Sequence, residues 1–312
     1  MTSSKVLVFT TTFYKNNEEG ELRKNLAKQF FRKGVECGYA IFTVDAGTDE
    51  GNFIDELNSL GVHAYPETRH GLGESRRESL DHALKYAKSN NIPYLLWSEA
   101  EKVDLVKNIS TRYYGLVERM DETKADMIVP ARGRYDPLGS YPQHQKLSET
   151  FGNQRHSDYG YFDMDGDDID TFFGPKIWKR ELSPYFQVFG EPEVAHELAE
   201  MRLEKFQEKY GIELDLKIDD CERAKAEFDL KSSDHMMHMP ACLMILKGLK
   251  VLSRRIDYTH PKEQTEFEER NERVYNQKRL MQLNALDEQF ELVRRIYENN
   301  ILEDKLEKML SK

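Results

Sequence analysis

The chain has 312 residues, 39% hydrophobic and 32% charged, which is enough apolar material for one large domain or a domain with an appendage. Its net charge of −11 argues against a general nucleic-acid binder, because phosphate contacts need a basic face, and leaves room for a local basic cleft around a small anion. No run of about 18 apolar residues predicts a membrane span, and three scattered cysteines without CxxC spacing predict a reducing, cytoplasmic setting with neither a disulfide framework nor a zinc–thiolate site.

The N-terminal MTSSKVLVFTTTF lacks a basic region ahead of an apolar stretch and reads as a first strand, Val6 to Thr10. A helix follows through Leu22, Leu26, Phe30 and Phe31, which share one face. Tyr39 to Val44 is a second strand, closed by DAGTDEG, where Thr48 is placed to cap the next short helix. Gly61 to Tyr65 reads as a third strand and Ser75 to Asn90 as a helix. Tyr94 to Trp97 is a strand, Val103 to Met120 a helix and Met127 to Ala131 a strand. Strands alternating with helices of this length predict a mostly parallel, doubly wound sheet.

Residues 135–175 are rich in Gly, Pro, Tyr, Asp, His and Gln and show little periodicity, which predicts a long irregular insertion with a functional role. Helical patterns return over Val194 to Tyr210 and Asp234 to Leu249, and a last strand runs from Val251 to Tyr258. From Glu263 onward there is neither Gly nor Pro. Leu283, Leu286, Phe290, Val293, Tyr297 and Ile301 form an amphipathic stripe that needs a surface, either its own domain or a second copy of the chain.

Ligands of open parallel sheets bind at the carboxyl ends of the strands. At those ends this chain places Thr10, Thr11 and Thr12, then Asp45, then Ser98, Glu99 and Glu101, then Arg132 and Arg134, and finally His260. The segment HGLGESRRESLDHALKYA adds Gly71 and Gly73 for a tight backbone path and Ser75 and Glu78 at capping-box spacing. Arg76 and Arg77 fall in the first helical turn, where they oppose the helix dipole. A bound diphosphate would explain the two cations, and so would surface carboxylates. The pair Glu99 and Glu101 at the end of a buried strand reads as a metal site ahead of an ordinary acidic helix start.

Taken together, residues 5–135 resemble the GT-A glycosyltransferases, most of all their family-2-type members. In those enzymes the first strand ends in a polar loop, the second in an Asp, a G-x-G-x-x-R segment opens a helix, and a later strand ends in a metal-binding D-x-D. The resemblance implies an α/β GT-A (Rossmann-like) fold, with residues 1–261 as the transferase domain, 1–134 its nucleotide-sugar half and 135–261 its acceptor half, and with 262–312 a C-terminal helical extension. It implies that Thr10, Thr12, Asp45, Gly73, Arg76, Arg77, Glu99 and Arg132 line a nucleotide-diphospho-sugar. It implies that Glu101 and His260 hold Mn²⁺ or Mg²⁺. The chain departs from the pattern where Glu99-Ala100-Glu101 replaces D-x-D, a tolerable change for a hard, oxygen-seeking cation.

Asp168 and Asp170 are the candidates for a general base, undistinguished from each other. The aspartate-rich loop around them is not an EF-hand, because Gly166 is misplaced and no Glu closes it. His235 and His238 lack a carboxylate partner at metal-site spacing and read as structural. Arg132, Arg134 and Arg155 would receive a polar or anionic acceptor. Two other readings stay open: a non-catalytic nucleotide-binding or scaffolding protein of the same fold, and a sugar nucleotidyltransferase. TTFYKNNEEG does not supply the Gly-rich basic loop that the latter needs after its first strand.

Overall fold

A computed structural model describes residues 5–110, 115–132, 140–161, 170–211, 220–232 and 238–311. Seven strands, β1 (Val6–Thr12), β2 (Ala40–Asp45), β3 (His63–Pro66), β4 (Tyr94–Trp97), β5 (Met127–Arg132), β6 (Lys176–Lys179) and β7 (Val251–Ile256), form one sheet in the order β3-β2-β1-β4-β6-β5-β7. All pairings are parallel except those of β6, which runs antiparallel to β4 and β5. β5 delivers the chain to the carboxyl edge and β6 starts back from that same edge, so β6 must run in reverse. The chain therefore leaves β5 and enters β6 at the carboxyl edge, where ligands of open parallel sheets bind.

Between and after the strands come α1 (Glu18–Glu36), α2 (Asn52–Ser59), α3 (Leu72–Ser89), α4 (Val106–Ile109), α5 (Leu116–Thr123), α6 (Gln143–Asp158), α7 (Pro184–Gln187), α8 (Pro192–Tyr210), α9 (Asp220–Ser232), α10 (Met239–Leu246), α11 (Lys262–Arg270), α12 (Glu272–Glu298) and α13 (Glu303–Leu310). The strands' alternation splits the core in two. Leu7, Phe9, Leu95 and Trp97 face the side covered by α3, α8, α10 and α12. Val6, Val8, Tyr94 and Leu96 face the side covered by α1, α2, α4 and α5. Among the described residues no helix is long and apolar enough to cross a membrane.

Several local expectations need correction. The region 135–175 is not irregular throughout, because α6 occupies sixteen of its residues. Its buried stripe, Gln145, Glu149, Gly152 and His156, has helical spacing but is polar, so a search for apolar periodicity passes over it. The helix expected over Val103 to Met120 is interrupted: α4 ends at Ile109 and α5 starts after Gly115. Thr48 does not cap α2, whose N-cap is Gly51. Ser75 and Glu78 make no capping box, because α3 begins earlier, at Leu72. Ser75 Oγ instead donates to the Gly71 carbonyl at 2.8 Å, and Glu78 accepts from the backbone of Thr68 and Arg69. Arg76 and Arg77 consequently sit in the second turn of α3.

The apolar stripe of the C-terminal segment lies on the chain's own core: Leu286, Phe290, Val293 and Ile296 are buried with α8 and α10 residues. Asparagines, not Gly or Pro, end α11 and α12, with Asn271 between the two helices and Asn300 in the left-handed region at φ 52°.

Candidate functional site

The carboxyl ends of β1 and β4 face a cavity of about 680 Å³. β1 is the strand from which the order runs one way to β2 and β3 and the other way to β4, the switch point at which ligands of open sheets bind. The floor comes from Thr12, Arg76, Trp97, Glu99 and Glu101. The roof comes from α6, α11 and α12, through side chains that include Gln145, Glu149, Glu268, Lys278 and Arg279. Of the expected residues, Thr12, Arg76, Glu99, Glu101 and His260 line this one cavity. Thr10, Asp45, Gly73, Arg77, Arg132 and Asp170 are not part of its lining. Asp168, Arg134 and His235 lie outside the described residues.

Asp45 is 1% exposed and its carboxylate is consumed locally. It accepts from Thr12 Oγ1 at 2.6 Å, Thr48 N and Oγ1 at 2.7 Å each, and Gly47 N at 3.0 Å. The aspartate staples the loops after β1 and β2 and so shapes the cavity wall. Thr10 is also buried, and its carbonyl accepts from Ser79 Oγ at 2.6 Å, which anchors α3 beneath the strand end. Arg77 pairs with Glu74 at 2.5 Å and lies flush against Gly190, where a Cβ would meet its Nε at 2.7 Å.

Arg76 behaves differently. It is 5% exposed and its guanidinium lies 4.7 Å from the centre of the Trp97 ring. Burial lowers its pKa to about 10, with Glu99 and Glu101 pulling the other way, so it stays a cation at neutral pH.

The two glutamates differ in what remains to them. Glu101 Oε1 accepts from Arg23 Nε at 2.9 Å and Nη2 at 2.8 Å, so an arginine from α1 already neutralises it. Glu99 presses on Gly174, where an added Cβ would stand 2.3 Å from Oε1, and its Oε2 is buried without a hydrogen-bond partner. His260 is 2% exposed, and its Nδ1 lies 2.8 Å from Thr265 Oγ1. Burial first, then Lys102 and Arg132, push its pKa down to about 2, which leaves the imidazole neutral. Among the described residues no three His, Cys, Asp or Glu side chains converge as a ready-made metal site.

Arg132 and Asp170 form a second buried centre behind the roof. Arg132 Nε and Nη2 donate to the two Asp170 oxygens at 2.5 and 2.6 Å, and Arg132 also pairs with Glu149. Arg279 Nη1 stands 3.8 Å from Glu149, completing two cations against two anions. With both oxygens held by one guanidinium, Asp170 is a group that positions Arg132 and α6. Arg155, expected to meet an acceptor, pairs with Asp287 at 2.6 Å.

Sequence reading does not find Gln145, Glu149, Glu268, Lys278 or Arg279. One signal exists for each group: the polar stripe of α6, and the predominantly polar α11 and first third of α12, ahead of the apolar stripe that begins at Leu283. No family model matches the chain, and no curated protein matches its sequence.

Proposed function

We propose that this chain is a GT-A-type glycosyltransferase that binds a nucleotide-diphospho-sugar over the carboxyl ends of β1 and β4. The observation that carries the reading is the cavity at the sheet's switch point, with an unsatisfied Glu99 oxygen beside the Trp97-stacked Arg76. Thr12 and the Asp45-stapled loop would border the nucleoside, and Arg76 would face the diphosphate.

Charge supports a metal ion entering with the donor. Five Lys and Arg and six Glu line the cavity, and His260 is neutral, so the described lining carries one net negative charge. A diphosphate placed there without a divalent cation would add to that deficit. Glu99, whose Oε2 has no other partner, is the residue that fits Mn²⁺ or Mg²⁺, with phosphate and water oxygens completing the shell. His260, neutral and at the same cavity, is the further candidate ligand, whereas Glu101 is engaged by Arg23. When bound, the ion neutralises charge developing on the leaving diphosphate. The residues' own work is to bind and orient the donor, while the roof helices limit water at the reacting carbon.

The test is a thermal-shift panel of UDP, GDP, ADP, CDP and dTDP, each with and without Mn²⁺, on the native chain and on Glu99→Gln. One nucleotide should raise the melting temperature in a metal-dependent way, by the equivalent of about 2.7 kcal/mol at a hundredfold excess over Kd. Glu99→Gln should abolish the metal dependence. No shift with any nucleotide would overturn the reading. A second reading, a nucleotide-binding protein without transfer activity, draws support from the Arg23–Glu101 pair, which occupies the carboxylate that the resemblance assigns to the metal. Nucleotide binding without metal-dependent hydrolysis of any nucleotide-sugar would select it.

A further inference from the structure

The cavity roof carries polar atoms that the chain does not satisfy. Arg279 Nε, Gln145 Oε1 and Glu268 Oε2 are each buried without a hydrogen-bond partner. All three side chains line the cavity, and they reach it from three separate helices, α12, α6 and α11. Gln145 is 4% exposed and Glu268 3% exposed. Leaving a buried donor or acceptor unmatched is costly, so a cluster of such atoms on one cavity wall is built for a partner from outside the chain.

The chemistry of the cluster is two-sided. Arg279 Nε–H only donates, whereas the Glu268 carboxylate and Gln145 Oε1 accept. Lys278, beside Arg279 on the cavity wall, adds a second cation and makes no ion pair among the described residues. Arg132 and Arg155 have their Nε held by carboxylates, whereas Arg279 reaches Glu149 only through Nη1 at 3.8 Å and keeps its Nε unmatched.

We propose that α6, α11 and α12 build a second subsite, and that it takes a small polyhydroxylated anion, a sugar acid or a sugar phosphate. Its anionic oxygens meet Arg279 and Lys278, and its hydroxyls donate to Glu268 and Gln145. That this ligand is the acceptor rests on the glycosyltransferase reading; that it binds does not. The C-terminal helices thereby set acceptor specificity.

Isothermal titration of the full chain with gluconate, glucose 6-phosphate, glucose and inorganic phosphate tests this, with and without the nucleotide panel and Mn²⁺. A hydroxylated anion should bind at least about tenfold more tightly than glucose or phosphate, as expected for a charge-assisted contact added to hydroxyl recognition. The preferred anion separates a carboxylate from a phosphate ligand. Arg279→Gln and Glu268→Gln should each weaken that binding by about tenfold or more, with Arg279→Lys in between. All three variants should keep a single cooperative melting transition without ligand, which shows that they fold. Anion binding without any nucleotide binding would keep the subsite and remove the donor reading. Nucleotide binding with no anion binding, or equal anion binding by native chain and Arg279→Gln, would overturn the subsite and leave the roof merely solvated.

Discussion

Replacing Arg132 by Met puts the charge cluster behind the roof to a quantitative test. The Arg132 side chain is 0% exposed, Glu149 1% and Asp170 10%. Methionine approximates the aliphatic part of arginine, so the main loss is the guanidinium. Of the ion pairs these two buried carboxylates make among the described residues, Arg279–Glu149 at 3.8 Å alone then remains. Breaking a buried pair by removing one partner costs about 3–5 kcal/mol. At about 2–4 °C per kcal/mol for large domains, the melting temperature should fall by on the order of 10 °C at pH 7.

The pH dependence has a definite sign. Burial by itself pushes the Asp170 carboxyl up, but the charge and hydrogen bonds of Arg132 outweigh it and hold the group below the usual carboxylate range. A depressed folded pKa gives stability that is present above the unfolded value near 3.9 and is lost as pH falls through the folded value. In the variant the guanidinium's charge and hydrogen bonds are gone, burial is opposed only by the residue-132 backbone N–H and Asn153, and the Asp170 carboxyl moves up, so less stability is gained as pH rises. The gap between native and variant should therefore be widest near pH 7, narrow as pH falls, and close only below the folded Asp170 value. Scanning fluorimetry at several pH values reads this directly. Adding Asp170→Asn and Glu149→Gln to Arg132→Met should recover most of the loss. A variant melting within about 2 °C of the native chain at pH 7, or a gap that does not change with pH, would refute the reasoning.

His260, with its folded pKa lowered by burial to about 2, should hold its neutral ring signal by NMR down to pH 4; because the unfolded histidine protonates near 6.5, it contributes a loss of stability as pH falls below that value, which His260→Asn should remove. Phe290→Ala, at a fully buried position that joins α12 to the core, should cost about 3–5 kcal/mol in urea unfolding; a loss under about 1 kcal/mol would mean that α12 is not integral to that core. Gly174→Ala combines a φ of 98° with a Cβ placed 2.3 Å from Glu99 Oε1, so it should cost about 1–3 kcal/mol from backbone strain and shift the Glu99 carboxylate. The metal-dependent nucleotide shift should then weaken in titrations, and an unaltered titration would count against Glu99 as the metal-holding group.

Part of this molecule was legible before any coordinates. The apolar runs at Val6, Ala40, Tyr94 and Met127 are buried strands, because a strand covered on both faces must be apolar along its length. The helix–strand alternation dictates a mostly parallel sheet, and the strand ends then mark Thr12, Glu99, Glu101 and His260 as neighbours. Those inferences rest on local periodicity and on a general rule about where parallel sheets bind. The stripe from Leu283 to Ile301 announced a helix seeking a partner surface, and that surface proved to be the chain's own core.

What the sequence could not convey was which polar groups consume one another. Asp45 is spent on Thr12 and Thr48, Glu101 on Arg23 across 78 positions, and Asp170 on Arg132 across 38. Each residue type is what a ligand site requires, yet only proximity in three dimensions decides whether its charge is already met. The roof was hidden for a related reason: α6 buries a polar stripe, and α11 and the start of α12 lie over a polar cavity, so no apolar period betrays them. Local pattern determined the sheet and its binding edge, because burial of backbone and apolar side chains repeats at fixed spacing. Tertiary structure alone left Glu99, Arg279, Glu268 and Gln145 as groups with hydrogen bonds still to make, because pairing between distant charged and polar side chains has no period in the sequence.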